Sequence, residues 1–182
     1  MKLITGVALL AVASGIAGCA HGRSPLDRIA VAYSTFSSAD GSARGTALLW
    51  QDPTNVVHVE LQLRDLPPGE HGIHFHAVGK CEGGTTAFST AGAHYNPIGR
   101  QHGLNNSAGP HNGDAPNITV GADGRAQVNF TTDRVTLTSG STSLFDDDGS
   151  AIVVHAAPDD QVSQPSGNSG ARIACGTVRN SL

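Results

Sequence analysis

The sequence predicts an all-β domain, on three observations. Glycine and proline are abundant (23 and 9) while only 14% of the residues are charged, a balance that suits many short strands joined by turns. The segment 56–63 alternates cleanly, with Val57, Val59, Leu61 and Leu63 on one face and Val56, His58, Glu60 and Gln62 on the other, which is the period of a half-buried strand. Apolar, β-branched runs recur at short intervals behind turn signals, and no internal repeat, heptad pattern or amphipathic helix of consequence interrupts them.

Taken in order, the strands fall at 28–36, 45–51, 56–63, 71–77, 117–120, 125–131, 151–156 and 171–179, about eight in all. The first two are separated by the Ala39-Asp40-Gly41-Ser42 turn, and Pro67-Pro68-Gly69 forces a turn before the fourth. Ala122-Asp123-Gly124 is a hairpin signal between the fifth and sixth. Two long stretches without periodicity, 78–116 and 158–170, are rich in Gly, Asn, Ser and Pro, and long irregular loops in a domain of this size are usually functional. A third connection, 133–149, carries the run Asp146-Asp147-Asp148, which reads as a solvated loop.

The first residues differ from all that follow. Met1-Lys2 is a short positive start, 3–16 is apolar and small, and Ala17-Gly18-Cys19 closes the stretch, so 1–18 reads as a secretory signal too short to span a bilayer. Its small-small-Cys ending resembles a bacterial lipobox, in which cleavage leaves Cys19 as a lipid-bearing N-terminus; an ordinary signal followed by an incidental Cys is the plainer alternative. On the first reading 19–27 is a polar tether, 28–182 is the domain, and the protein is an exported lipoprotein of the cell envelope, on the periplasmic face or in the outer membrane, touching membrane through its lipid only. Cys81 and Cys175 then remain as an even pair in an oxidising compartment, where a disulfide is the default expectation and two unrelated buried thiols the alternative. Net charge −4 and a pI near 6.1 offer no basic field, which argues against nucleic acid as a partner.

Of nine histidines, six stand at His74, His76, His94, His102, His111 and His155, with Asp114 nearby. Alternation along a strand puts His74 and His76 on one face about 7 Å apart, near enough to converge on one ion. The following loop offers His94, His102, His111 and Asp114 at intervals of eight, nine and three, so an irregular backbone can wrap them around a second ion. Imidazole suits both copper and zinc, and a carboxylate among imidazoles is compatible with tetrahedral zinc.

The segments His71-Gly-Ile-His74-Phe-His76, Ala91-Gly-Ala-His94-Tyr-Asn-Pro97, His102-Gly103, Gly109-Pro-His111-Asn-Gly-Asp114, Val153-Val-His155 and Ala171-Arg172-Ile-Ala-Cys175-Gly176 resemble copper,zinc superoxide dismutases, in that family's order, over roughly 45–179. The resemblance implies an eight-stranded Greek-key β-barrel or sandwich, immunoglobulin-like, with two long functional loops. It implies copper on His74, His76, His94 and His155, and zinc on His94, His102, His111 and Asp114, with the His94 imidazolate shared between the two ions. It implies dismutation of superoxide to dioxygen and hydrogen peroxide, with catalytic roles for Arg172 as the cation that orients the substrate and for His94 as a redox-linked acid/base group. Asp159 matches the carboxylate that joins one copper ligand to one zinc ligand, here His74 and His102, and Cys81 with Cys175 matches the family's disulfide. A homodimer and a copper-donating protein are further partners the resemblance admits.

The other histidines read as structural (His71) or solvated (His58 and, in the tether, His21). The second loop, 158–170, holds Asp159 and Asp160 but no Lys or Arg, so substrate guidance rests on the metals and Arg172, and the rate should fall below the family's best. Two readings of other classes compete: a membrane-tethered copper or zinc binding or delivery protein without turnover, and an immunoglobulin-like adhesion module, which leaves the histidines unexplained.

Overall fold

A computed structural model describes residues 27–83 and 86–181, so the leader, Cys19 and all of the tether but Asp27 lie outside the described residues. Ten strands follow one another: β1 (Ala30–Ser37), β2 (Ala43–Gln51), β3 (Val57–Leu63), β4 (Gly69–His71), β5 (Ile73–His76), β6 (Ile118–Val120), β7 (Ala126–Thr132), β8 (Ala151–His155), β9 (Arg172–Thr177) and β10 (Arg179–Asn180). Seven pair in the order β5-β8-β9-β1-β2-β3-β7, β10 adds to β1, and β4 pairs with β6. Because β4 runs on into β5 and β6 turns into β7, with the Gly121 N–H donating to the Arg125 carbonyl at 2.8 Å, the small sheet bridges the two ends of the large one and curls it into a barrel. Counting β4 with β5 and β9 with β10 as bent strands recovers the eight that the sequence predicts.

One expected strand, 71–77, is broken at Gly72. There the chain changes partners: His71 pairs with Ile118 of β6, Ile73 with Val154 of β8, and the Gly72 N–H leaves the sheet for the Ala157 carbonyl at 2.9 Å.

Alternation decides the core. β3 buries Val57, Val59, Leu61 and Leu63 and exposes Glu60 and Gln62, as the period demands. Each such side chain contributes roughly 1.5–3 kcal/mol of transfer free energy, an upper figure because the unfolded chain already hides part of its surface. His58 departs from expectation: it is buried rather than solvated, because its ring stacks on Trp50 with centroids 3.7 Å apart while Nε2 lies 2.9 Å from Asp52 Oδ2. The 133–149 connection is likewise more than a solvated loop, since Val135, Leu137 and Leu144 enter the core and leave Asp146, Asp147 and Asp148 exposed.

β8 is buried on both faces. Ile152 and Val154 join the barrel core, while Ala151 and Val153 pack outside it with Phe88, Ala91 and Cys175. That second cluster seats the 78–116 loop on the barrel wall, and the Cys81–Cys175 disulfide, spanning 94 residues, pins it to β9. A cross-link closing so long a loop contributes about 4–5 kcal/mol in the chain-entropy account.

Candidate metal centre

Register brings the histidines together. Ile73 and Phe75 of β5 point into the core, so His74 and His76 point away from it. β8 covers one edge of β5, and the long loop returns along the other, setting His74 opposite Asp114 and His76 opposite His94. The main chain carries this pairing: Phe75 N–H donates to Gly113 O (2.9 Å), Tyr95 N–H to Phe75 O (2.8 Å) and Ala77 N–H to Ala93 O (2.9 Å). Gly113 must be glycine, because a Cβ there would run into the Phe75 carbonyl. A register shift between Val154 and His155 then places His155 opposite Arg172.

Two sets of ligand atoms result. His74, His76, His94 and His155 each offer an atom within 4.8 Å of the others, and all four are buried. The His74 and His76 ring centroids are 6.4 Å apart, close to the spacing the strand period predicts. In the second set, the rings of His94, His102 and His111 stand 5.2, 5.6 and 5.4 Å from one another, nearly an equilateral triangle. Their Nδ1 atoms lie 3.1, 2.9 and 3.5 Å from the same Asp114 oxygen. A tetrahedron with arms of about 2.0 Å has edges of about 3.3 Å, so these separations fit ligands around one zinc. His74 also falls within 4.8 Å of His94, His102 and Asp114, but its one open nitrogen, Nδ1, also serves the first set, while His111, whose buried Nδ1 has no hydrogen-bond partner, stands beside the same Asp114 oxygen.

Hydrogen bonds on the far side of each ring leave the near nitrogen open. His76 Nδ1 donates to Gly92 O (3.0 Å), His155 Nδ1 to Gly170 O (3.2 Å) and His74 Nε2 to Asp159 Oδ2 (2.7 Å). Among the described residues, His74 Nδ1, His76 Nε2, His94 Nε2, His155 Nε2 and His111 Nδ1 are buried with no hydrogen-bond partner. Buried polar atoms are normally satisfied, so five orphaned imidazole nitrogens in one place are donors waiting for cations. These residues could hold a copper and a zinc ion, and His94 faces both sets, with Nε2 unpartnered on one side and Nδ1 beside Asp114 on the other.

The electrostatics agree. Burial pushes His76 well below the usual histidine range, helped by the neighbouring His94 and Arg172. Burial likewise takes His94 down to about 4, against the pull of Asp114, and His155 down to about 3. These rings are neutral at physiological pH, with lone pairs free for a metal. His102 moves the other way: burial opposes its charge, but the Asp114 and Asp159 carboxylates outweigh burial and push it up to about 9. Burial opposes the charge of Asp114, but the bonds from His102, His94 and the Gly103 N–H, with the His111 ring close by, overcome that cost and hold its carboxyl far below the usual carboxylate range.

Asp159 accepts His74 Nε2–H at Oδ2 and His102 Nε2–H (3.0 Å) at Oδ1. Arg172 lines a cleft of about 520 Å³ with His76, His94, His155, Pro165 and Ser166. Its Nη1 and Nη2 donate to the Phe88 and Gly92 carbonyls, both at 2.6 Å. Further side chains support the site, and of these sequence reasoning foresaw only His71. His71, expected to be structural, sets its ring nitrogens 2.7 and 2.8 Å from the carbonyls of His155 and Pro67, so it braces the main chain of a site residue. Arg134 donates to the Asp114 carbonyl (2.7 Å), and Asn117 exchanges two bonds with the Asp159 main chain (2.9 and 2.8 Å). No spacing or pattern in the sequence marks these side chains.

Fold and site together define a β-barrel metalloprotein with two adjoining imidazole-rich sets on its outer wall. Residues 43–178 match the family model described as copper/zinc superoxide dismutase (SODC). The chain is 41% identical over 150 residues to superoxide dismutase (Cu-Zn) 2 of Aquifex aeolicus, covering 81% of this chain and 86% of that one. It is 41% identical over 151 residues to a superoxide dismutase (Cu-Zn) of Caulobacter vibrioides, with coverage of 81% and 85%. The crystal structure of a double mutant of a SOD-like protein from Bacillus subtilis superposes with a TM-score of 0.75 at 37% identity, covering 80% of this chain and 95% of that one. The chain belongs to the copper/zinc superoxide dismutase family.

Proposed function

We propose that the protein dismutates superoxide, with copper held by His74 Nδ1, His76 Nε2, His94 Nε2 and His155 Nε2, and zinc by the Nδ1 atoms of His94, His102 and His111 together with Asp114. The observation that carries this reading is the set of five buried imidazole nitrogens without a protein partner. Two superoxide anions and two protons become one dioxygen and one hydrogen peroxide. Copper, when bound, supplies the one-electron change that zinc cannot, and zinc supplies a fixed charge that organises its ligands.

The chain's own residues do the rest. Arg172, a permanent cation tied by two carbonyls at the cleft, draws in the small anion and orients it. His94 Nε2, on the cleft side of its ring, would hold a proton only in the half of the cycle in which it does not hold copper, and an anion on its way to peroxide would take that proton up. Asp159 fixes the tautomers of His74 and His102, so that each presents Nδ1. The second loop, which holds no Lys or Arg, leaves guidance to Arg172 and the bound ions, against a body of net charge −4. The leader at 1–18 and the lipobox cysteine, Cys19, support an exported envelope lipoprotein, and family likeness supports a homodimer and a copper-donating partner.

The test is superoxide consumption by metal-free protein reloaded either with zinc alone or with copper and zinc. Turnover is expected only from the doubly loaded form. Stable binding of both ions without turnover would instead make metal storage or delivery the function.

A further inference from the structure

The loop at 158–170 holds no cationic side chain, yet it is tied to the zinc-side loop through neutral amides. Gln164 Oε1 accepts the His102 N–H at 2.8 Å, and Gln164 Nε2 donates to the His102 carbonyl at 2.9 Å. This pairing imitates one rung of a sheet: a side-chain amide stands in for a neighbouring strand and saturates both main-chain groups of a single residue. Gln161 adds a looser tie, accepting Leu104 N–H and donating to the Ala115 carbonyl, both at 3.2 Å. The residues that follow Gln164 in sequence, Pro165 and Ser166, line the cleft beside His76, His94, His155 and Arg172.

His102 is thus held twice by one loop, through its ring by Asp159 and through its main chain by Gln164. The two ties are close in space. Gly167 packs so tightly here that a Cβ on it would overlap the Asp159 carboxylate and crowd His102 Nε2. Asp159 fixes which nitrogen the ring presents, but a ring can still swing if its backbone drifts. The Gln164 pair limits that freedom from the 158–170 side, as the Asn106 amide, donating to the same carbonyl at 3.0 Å, does from its own loop, and because the strap is continuous with the cleft wall, the Gln164 contact links the position of His102 to Pro165 and Ser166.

We infer that Gln164 is a positioning residue for the zinc set, and that through it zinc binding fixes the wall of the copper cleft. This rests on the reading of His102 as a zinc ligand. Residues that orient a metal ligand without touching the metal typically change its affinity by about 10- to 100-fold. Gln164 is exposed to water at one side, which replaces part of what is lost, so the low end of that range applies.

The experiment titrates the metal-free full-length protein with zinc ion alone against a chromophoric chelator, and follows amide hydrogen exchange over 160–169 before and after zinc. In the wild type, zinc should slow exchange at Gly167, whose N–H donates to Ser163 O, and at Asp160, whose N–H donates to Gly167 O. Gln164→Ala should weaken zinc about tenfold and abolish most of that slowing even at saturating zinc. Gln164→Glu, which keeps the acceptor for His102 N–H and loses the donor, should fall between. His102→Ala serves as the control. Wild-type zinc affinity and exchange slowing in Gln164→Ala, with zinc lost in His102→Ala, would overturn the strap alone. Wild-type affinity in both variants would overturn the ligand assignment with it.

Discussion

Asp159→Asn isolates what one buried carboxylate does for two metal sets at once. Its oxygens accept Nε2–H of His74 at 2.7 Å and of His102 at 3.0 Å, and all three side chains are fully enclosed. An asparagine of the same shape has one acceptor and one donor, so one ring must meet an N–H with its own N–H. No water can enter to relieve the clash. Either that ring shifts its proton to Nδ1, the nitrogen it presents to the metal, or it turns away. A hydrogen bond to a charged group is worth about 1.5–3 kcal/mol. At 1.4 kcal/mol per tenfold, that is a loss of roughly 10- to 140-fold in affinity for the ion on the affected side. Competition titrations of the metal-free variant with zinc and with copper measure both sides separately, and fold can be confirmed by the far-UV circular-dichroism spectrum and a cooperative thermal transition. Affinities for both ions within about twofold of wild type would refute the tautomer reasoning.

Two further outcomes are expected. Arg172→Ala should slow turnover and flatten its dependence on ionic strength, because the guanidinium is the chain's own cation at the cleft; stopped-flow superoxide decay at several salt concentrations checks this, and an unchanged salt slope would refute it. Bonds from His58, Thr54 and the main chain hold the Asp52 carboxyl well below its usual range. A depressed carboxyl stabilises the fold above its unfolded value, near 4, and ceases to do so as the pH falls through the folded value. Thermal midpoints of wild type and Asp52→Asn should therefore differ at pH 7 and converge towards pH 2, and a constant gap would count against the linkage.

Most of the barrel was legible in the sequence because its strands are half-buried. Val57, Val59, Leu61 and Leu63 announce a face, and a face announces a sheet. The break at Gly72 was not legible, since His71 and Ile73 satisfy one continuous alternation while pairing with different strands, and only the tertiary structure chooses those partners. His58 was misjudged for a related reason: alternation places it outward correctly, but Trp50 on the adjacent strand covers it. The clustering of His74, His76, His94, His102, His111, His155 and Asp114 was legible because metal chemistry restricts residue type, and histidines at such spacings are rare by accident. Gln164, Asn117 and Arg134 act through main-chain atoms, which every residue possesses, so nothing in their identity or spacing marks them beforehand.

The Gly92 carbonyl accepts from His76 Nδ1 and from Arg172 Nη2. A single oxygen is therefore the common datum from which both the imidazole and the guanidinium are aligned. A shift of one group strains the bond to the other, so the spacing between the guanidinium and the His76 imidazole is set through one atom.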